Sequence, residues 1–184
     1  MTRDEALEEL KLRLSNINVL KHSIAVETIM REFATHYNAD VDIWGMAGLL
    51  HDIDYERTAD NPSLHGIVGA DILENLDIDE AIVYSVRAHN DYLDIPRKRK
   101  MDKVLFLADS ISDLIIKCAL ILPSQKIADV SVEFVIQKMN EKEYAESINR
   151  DLIEHYEEEL GITHQEFIEI TLNAMKRISI EFEL

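Results

Sequence analysis

The stretch WGMAGLLHDIDYE, residues 44–56, decides how the rest of the chain is read. From Trp44 to Leu50 it is apolar almost all round, so a helix built on it has no face to give to water and belongs in the middle of a helical fold. The run then stops on His51 and Asp52, an imidazole and a carboxylate side by side, and leads into the polar stretch ERTADNPS, residues 56–63. Neighbouring residues on a helix diverge by about 100°, so these two converge on one point only where the helix ends or bends. The polar stretch supplies that ending.

Helical spacing continues outward in both directions. A first helix is predicted from about Arg3 to Leu14, started by Thr2 with Glu5 three residues later in the pattern of a capping box. A second runs from about Val19 to His36, repeating apolar residues through Ile24, Ile29 and Phe33, and a third spans Val41 to His51. Pro62 and Ser63 open a fourth through Leu76, Asp79 to His89 makes a fifth, and DIPRKRK, residues 94–100, is a loop held by Pro96. The sixth, Met101 to Leu122, is the most apolar. After Pro123 come two or three more, among them an acidic helix near Glu143 to Leu160 that Gly161 ends, and a last one behind Thr163 and Glu166, which repeat the capping-box spacing. With 5 glycines, 3 prolines and no alternating run long enough for a strand, the pattern predicts an all-α bundle of roughly eight or nine helices. A chain of 184 residues with 47% apolar content fits one domain over 1–184, its core at about 18–130 and a carboxyl-terminal helical extension at 131–184.

The net charge of −17 disfavours extended nucleic acid as a partner, since a phosphate backbone is bound mainly by neutralising it with Lys and Arg. Residues 129–184 alone carry 14 acids against 5 Lys or Arg. A small phosphorylated molecule remains admissible where metal ions and a few local cations offset the field. The longest apolar runs, such as Ile43 to Leu50 and Val104 to Ala108, fall far short of the ~20 residues that cross a bilayer, and MTRDEALEEL does not read as a signal peptide. The expectation is therefore a soluble, cytoplasmic protein without a membrane partner, with a homodimer through the apolar helices left open. The lone Cys118 sits in an apolar helical run and reads as a small buried hydrophobe.

The polar residues inside apolar runs carry the chemistry, because a buried carboxylate without a partner is costly enough to be paired, protonated or given a metal. Asp109, in VLFLADSI, is one; His51 and Asp52 follow directly on GMAGLL; His22 lies in the second helix, one turn before Val26. Taken singly, each has an ordinary reading as a hydrogen-bonded histidine or a capping or salt-bridged aspartate. Taken together, imidazoles and carboxylates without thiolates suit divalent ions such as Fe, Mn, Co, Zn or Ni, which make a bound water acidic enough to act near neutral pH.

These residues resemble a known signature. His22, then His51 and Asp52, then Asp109 reproduce the H...HD...D pattern of the HD-domain metal-dependent phosphohydrolases, and His65 in SLHGIVGADIL and His89 in VRAHN look like the two further histidines of their dinuclear members. LLHDIDYE, AHNDYLDIPR, MDKVLFLADSI and LPSQKIADV resemble an HDIG-related subgroup of bacterial and archaeal hydrolases, with strong motifs from about residue 18 to residue 130 and weaker ones beyond.

The resemblance implies an HD-type helical bundle holding one or two divalent ions. His22, His51, Asp52 and Asp109 would bind the first, Asp52 would bridge, and His65 and His89 would bind the second. It implies hydrolysis of a small nucleotide-like phosphoester or phosphoanhydride by a metal-bound hydroxide. Asp52 is then catalytic, and Asp54, two residues on, reads as a general acid or as a group orienting the bound water. Arg97, in the one dense basic cluster of residues 97–100, together with Lys103 and Arg57, is expected to contact substrate phosphate. The same ligand set also resembles the diiron oxygenases of the superfamily, and a third reading is a noncatalytic regulatory module. His36, His155 and His164 match no family ligand.

Overall fold

The computed structural model describes residues 1–141, 144 and 150–182. The chain divides into two compact units, Met1–Phe106 and Leu107–Leu184. The division falls inside one continuous helix. In the first unit lie α1 (Arg3–Lys11), α2 (Ile17–His36), α3 (Val41–Leu50), the four-residue α4 (Tyr55–Thr58), α5 (Ile67–Asn75), α6 (Glu80–His89) and the opening turns of α7 (Lys100–Ile121). Short 3-10 turns occupy Pro62–Leu64 and Asp91–Leu93. The second unit holds the rest of α7, a 3-10 turn at Ile127–Asp129, α8 (Val132–Met139), α9 (Arg150–Leu160) and α10 (His164–Phe182). Every regular element among the described residues is helical, as the spacing of apolar residues predicts.

Short polar side chains start these helices. Asp40 accepts from the backbone N–H groups of Asp42 and Ile43, both at 3.0 Å, and Asp79 accepts from that of Ala81 at 2.7 Å. The capping boxes expected at Thr2 and Thr163 both form. Each such cap satisfies donors that a helix cannot satisfy itself.

Helix α3 is the centre of the first unit: Trp44 to Leu50 are all buried, and α1, α2 and α6 pack against it. At Gly48 the backbone of α2 comes close. A Cβ at Gly48 would lie 2.7 Å from the carbonyl oxygen of Val26 and 2.9 Å from the backbone of Glu27, so only a glycine lets the two helices meet there. Glu27 itself is buried and doubly paired, accepting from Arg3 at 2.7 and 2.8 Å and from Arg31 at 2.9 Å. That ties α1 to α2 with the charge compensated on both sides.

In the second unit α10 packs on α8, α9 and the turn at Ile127–Asp129, burying Ile168, Leu172 and Met175. The ammonium of Lys176 donates to the carbonyl of Val130 at 2.8 Å. Cys118 is buried, as expected, and burial pushes its thiol up to about 11. Among the described residues no helix is long and apolar enough to cross a membrane.

Several boundaries differ from the sequence reading for local reasons. The helix expected over Pro62 to Leu76 is broken in two: His65 is extended, with φ −61° and ψ 134°, and Gly66 takes φ +82° before α5 begins. A positive φ of that size suits glycine and interrupts any helix. The start expected at Glu143 for the acidic helix lies outside the described residues, and the helix is described over Arg150–Leu160. His51 is not the last residue of α3 but its cap, and residues 51–54 form the turn that follows.

Candidate metal centre

The turn after α3 delivers the Asp52 carboxylate into a ring of imidazoles. Its Oδ2 lies 3.4 Å from Nε2 of His51 and 3.8 Å from Nε2 of His22 on α2. Its Oδ1 lies 3.3 Å from Nε2 of His65, in the break before α5, and 3.8 Å from Nε2 of His89, the last residue of α6. One carboxylate thus faces two pairs of histidines, one pair per oxygen. His51, Asp52 and His89 are buried, and each offers an atom within 4.8 Å of the others.

The far side of three rings fixes what the near side offers. Nδ1 of His51 lies 2.8 Å from the carbonyl of Gly48, and Nδ1 of His89 lies 2.5 Å from that of Val86. Nδ1 of His65 lies 2.9 Å from Oδ1 of Asp54. Carbonyl and carboxylate oxygens only accept, so each of the three rings carries a proton on Nδ1 and turns Nε2 toward Asp52. Histidines that bind metals are held in this way, with the second nitrogen donating to a carbonyl or carboxylate.

Lone pairs aimed at a carboxylate repel it unless a positive charge lies between them. A proton on Nε2 of His65 can meet the same demand: burial opposes its protonation, yet hydrogen bonds to Asp52 and Asp54 overcome this and push it up to about 10, and a metal would take that proton's place. The donor set, nitrogens and carboxylate oxygens without sulfur, suits the divalent ions expected for this signature. The residues present therefore fit a metal.

The other singled-out residues fall in distinct places. Asp109 is partly exposed on α7, in the second unit. Asp102 is fully buried, accepting from Ser85 of α6 at 2.6 Å and from the backbone N–H groups of Lys98 and Arg99 at 3.1 and 2.9 Å. Asp54 is buried behind His65, its Oδ2 accepting from the N–H groups of Gly66 and Gly69 at 2.9 and 2.8 Å. Arg97, its side chain only 6% exposed, donates to the carbonyl of Ala88 at 3.0 Å and to Asp91 at 2.9 Å and lies over the Phe106 ring at 3.7 Å. Lys103 is buried on α7, whereas Arg57 is exposed on α4. His36 and His155 are exposed on the surface, and His164 pairs with Glu157.

Two contributors escaped the sequence reading. Asn90 donates to the carbonyls of Pro62 at 2.7 Å and His65 at 2.9 Å, and so fixes the backbone of the break that carries His65. Asp102 follows the rule that singled out Asp109, an acid at the head of an apolar run, and that signal was available.

A family profile described as HD domain matches residues 19–114, more than half of the chain. Ribonuclease Y of Oleidesulfovibrio alaskensis is 33% identical over 107 residues, 58% of this chain and 20% of its own length. Ribonuclease Y of Mycoplasma mycoides is 33% identical over 105 residues, 56% of this chain and 24% of its own. An uncharacterized protein of Methanocaldococcus jannaschii is 37% identical over 94 residues, 48% of this chain and 54% of its own. The matched segment thus spans only about a fifth to a quarter of the ribonuclease Y chains. No solved structure matches the chain.

Proposed function

The chain belongs to the HD-domain family, and on that premise we propose that it is a metal-dependent phosphohydrolase acting on a small nucleotide-like phosphoester or phosphoanhydride. The observation that carries the proposal is the shared carboxylate of Asp52, one oxygen toward His22 and His51 and the other toward His65 and His89. These residues would hold divalent ions, whether Fe, Mn, Co, Zn or Ni, whose chemistry would be to make a bound water acidic near neutral pH and to offset charge on the phosphoryl group. On the family pattern His22, His51, Asp52 and Asp109 would hold the first ion and His65 and His89 the second. Asp52 would bridge.

For the substrate phosphate, Arg57 is the cation on which the reading rests. It is exposed five residues after Asp52, whereas the Arg97 guanidinium is committed to α6 carbonyls and Asp91. The acidity of the chain favours a small substrate, because an ion pair or two can neutralise one phosphate but not a long backbone.

The ribonuclease Y relatives favour a second reading, cleavage of a phosphodiester in RNA. The net charge of −17 weighs against it. One experiment separates the readings: phosphate release from a panel of nucleotides and dinucleoside polyphosphates, and fragment release from RNA, with Mn, Fe or Co added, for the native protein and Asp52→Ala. Metal-dependent phosphate release that the substitution abolishes supports the proposal. RNA fragments without phosphate release would move the assignment to a nuclease, and oxygen consumption with iron and no hydrolysis would move it to a diiron oxygenase.

A further inference from the structure

We propose that Asp54 is a positioning residue that makes His65 a metal ligand by holding its ring proton on Nδ1. The inference rests on the metal-centre reading and goes beyond it, since both Asp54 oxygens are engaged by protein groups, one by the His65 ring and the other by two backbone N–H groups.

The need for such a residue follows from where His65 sits. His51 and His89 stand at helix ends, and each uses the carbonyl three residues back, Gly48 or Val86, as the acceptor for Nδ1. His65 lies in the break between the Pro62–Leu64 turn and α5, with an extended backbone. A side chain from the turn after α3 takes the place of that carbonyl: Oδ1 of Asp54 lies 2.9 Å from its Nδ1.

Asp54 is itself immobilised. It is 1% exposed, and its other oxygen accepts two backbone N–H groups from the start of α5, Gly66 at 2.9 Å and Gly69 at 2.8 Å. The approach is close, since a Cβ at Gly69 would lie 3.2 Å from the Asp54 carboxyl carbon. Asn90 holds the His65 carbonyl from the other side at 2.9 Å. With ring and backbone both pinned, Nε2 of His65 can point only between Asp52, at 3.3 Å, and His89, at 2.9 Å. A carboxylate accepts and cannot donate, so the proton stays on Nδ1 and the Nε2 lone pair stays available to an ion. An amide at position 54 removes that certainty: its NH2 can face Nδ1 and leave the proton on Nε2, while its oxygen still accepts from α5.

The test titrates native protein, Asp54→Asn and Asp54→Ala with zinc and counts bound ions by atomic absorption, alongside the melting temperature of each metal-free protein. The expected result is two ions on the native chain and, in Asp54→Asn, one ion bound as in the native protein and the second bound about 10–100-fold more weakly, with a metal-free melting temperature near native. Asp54→Ala should lose both the second ion and stability, because two N–H groups of α5 lose their acceptor. Native-like binding of both ions by Asp54→Asn, or loss of both together, would overturn the proposal. A native chain that binds no zinc would overturn the metal-centre reading and this inference with it. If the variants fail to fold, nitrogen-15 shifts of the histidines in the zinc-loaded native protein decide: His65 protonated on Nδ1 supports the proposal, and protonated on Nε2 refutes it.

Discussion

Nε2 of His65 stands 2.9 Å from Nε2 of His89, and both rings have their Nδ1 turned to an acceptor. Two lone pairs at that distance repel unless a proton or a cation intervenes. The folded chain should therefore be stabilised by a divalent ion, since anything that binds the native state and not the unfolded one adds about RT ln(1 + [L]/Kd), about 2.7 kcal/mol at a hundred times Kd. At roughly 2–4 °C per kcal/mol for a chain of this size, zinc or manganese should raise the melting temperature by about 5–10 °C and a chelator should reverse it. Calorimetry with and without EDTA checks this, and an unchanged midpoint would count against the centre.

Gly48→Ala should loosen the site from a distance. The added Cβ meets the Val26 carbonyl and the Glu27 backbone, not the end of a flexible side chain, so α2 and α3 must part by several tenths of an ångström. Overpacking of this kind costs about 1–3 kcal/mol, read as a lower urea midpoint with an unchanged slope. Since His22 rides on α2 and Asp52 follows α3, the same variant should bind metal more weakly even though no ligand has changed. A native-like midpoint would show that the two helices have room.

The helices were legible because the apolar spacing that defines them is local, and because Thr2 and Thr163 mark starts with side chains that cap at short range. The break at His65 was harder. Proline opens helices, so Pro62 pointed to a continuous one, and only the backbone at Gly66 shows the interruption. The histidines of the site could be chosen by resemblance, and the carbonyls that hold Nδ1 of His51 and His89 are local, three residues back; what holds Nδ1 of His65 is a contact across elements, from Asp54 over eleven residues, which no periodicity carries. For Arg97 the sequence offers a charge in a basic loop; its place over Phe106 and under α6 belongs to the packing.

Cys118 gives a prediction with a defined pH window. Burial raises its thiol to about 11 from an ordinary 9.0, so the unfolded thiol ionises first. The stability this represents is fully present below about pH 9 and is lost as pH rises toward 11. Native protein should react with iodoacetamide very slowly at pH 8, where the unfolded chain in urea reacts at the rate of an ordinary thiol, and Cys118→Ser should flatten the decline in stability between pH 9 and 11. Rapid labelling of the native chain at pH 8 would mean that this part of α7 opens readily.

Arg57 and Arg97 should separate cleanly when each becomes alanine. Arg97 lies under the end of α6, its guanidinium on the Ala88 carbonyl and Asp91 and stacked on Phe106, so removing it takes a donor from the partly buried Ala88 carbonyl beside His89. Such a loss costs about 1–3 kcal/mol and should lower the melting temperature and the occupancy of the second ion together. Arg57 is exposed on α4, where a surface substitution stays within about 0.5 kcal/mol, so Arg57→Ala should melt like the native protein. If Arg57 meets the substrate phosphate, its loss should raise KM about tenfold, about 1.4 kcal/mol of binding, with kcat little changed. Melting curves and steady-state kinetics on the two variants check both arms, and an Arg57→Ala enzyme with native KM would remove Arg57 from the substrate site and leave Lys103 as the remaining cation to test.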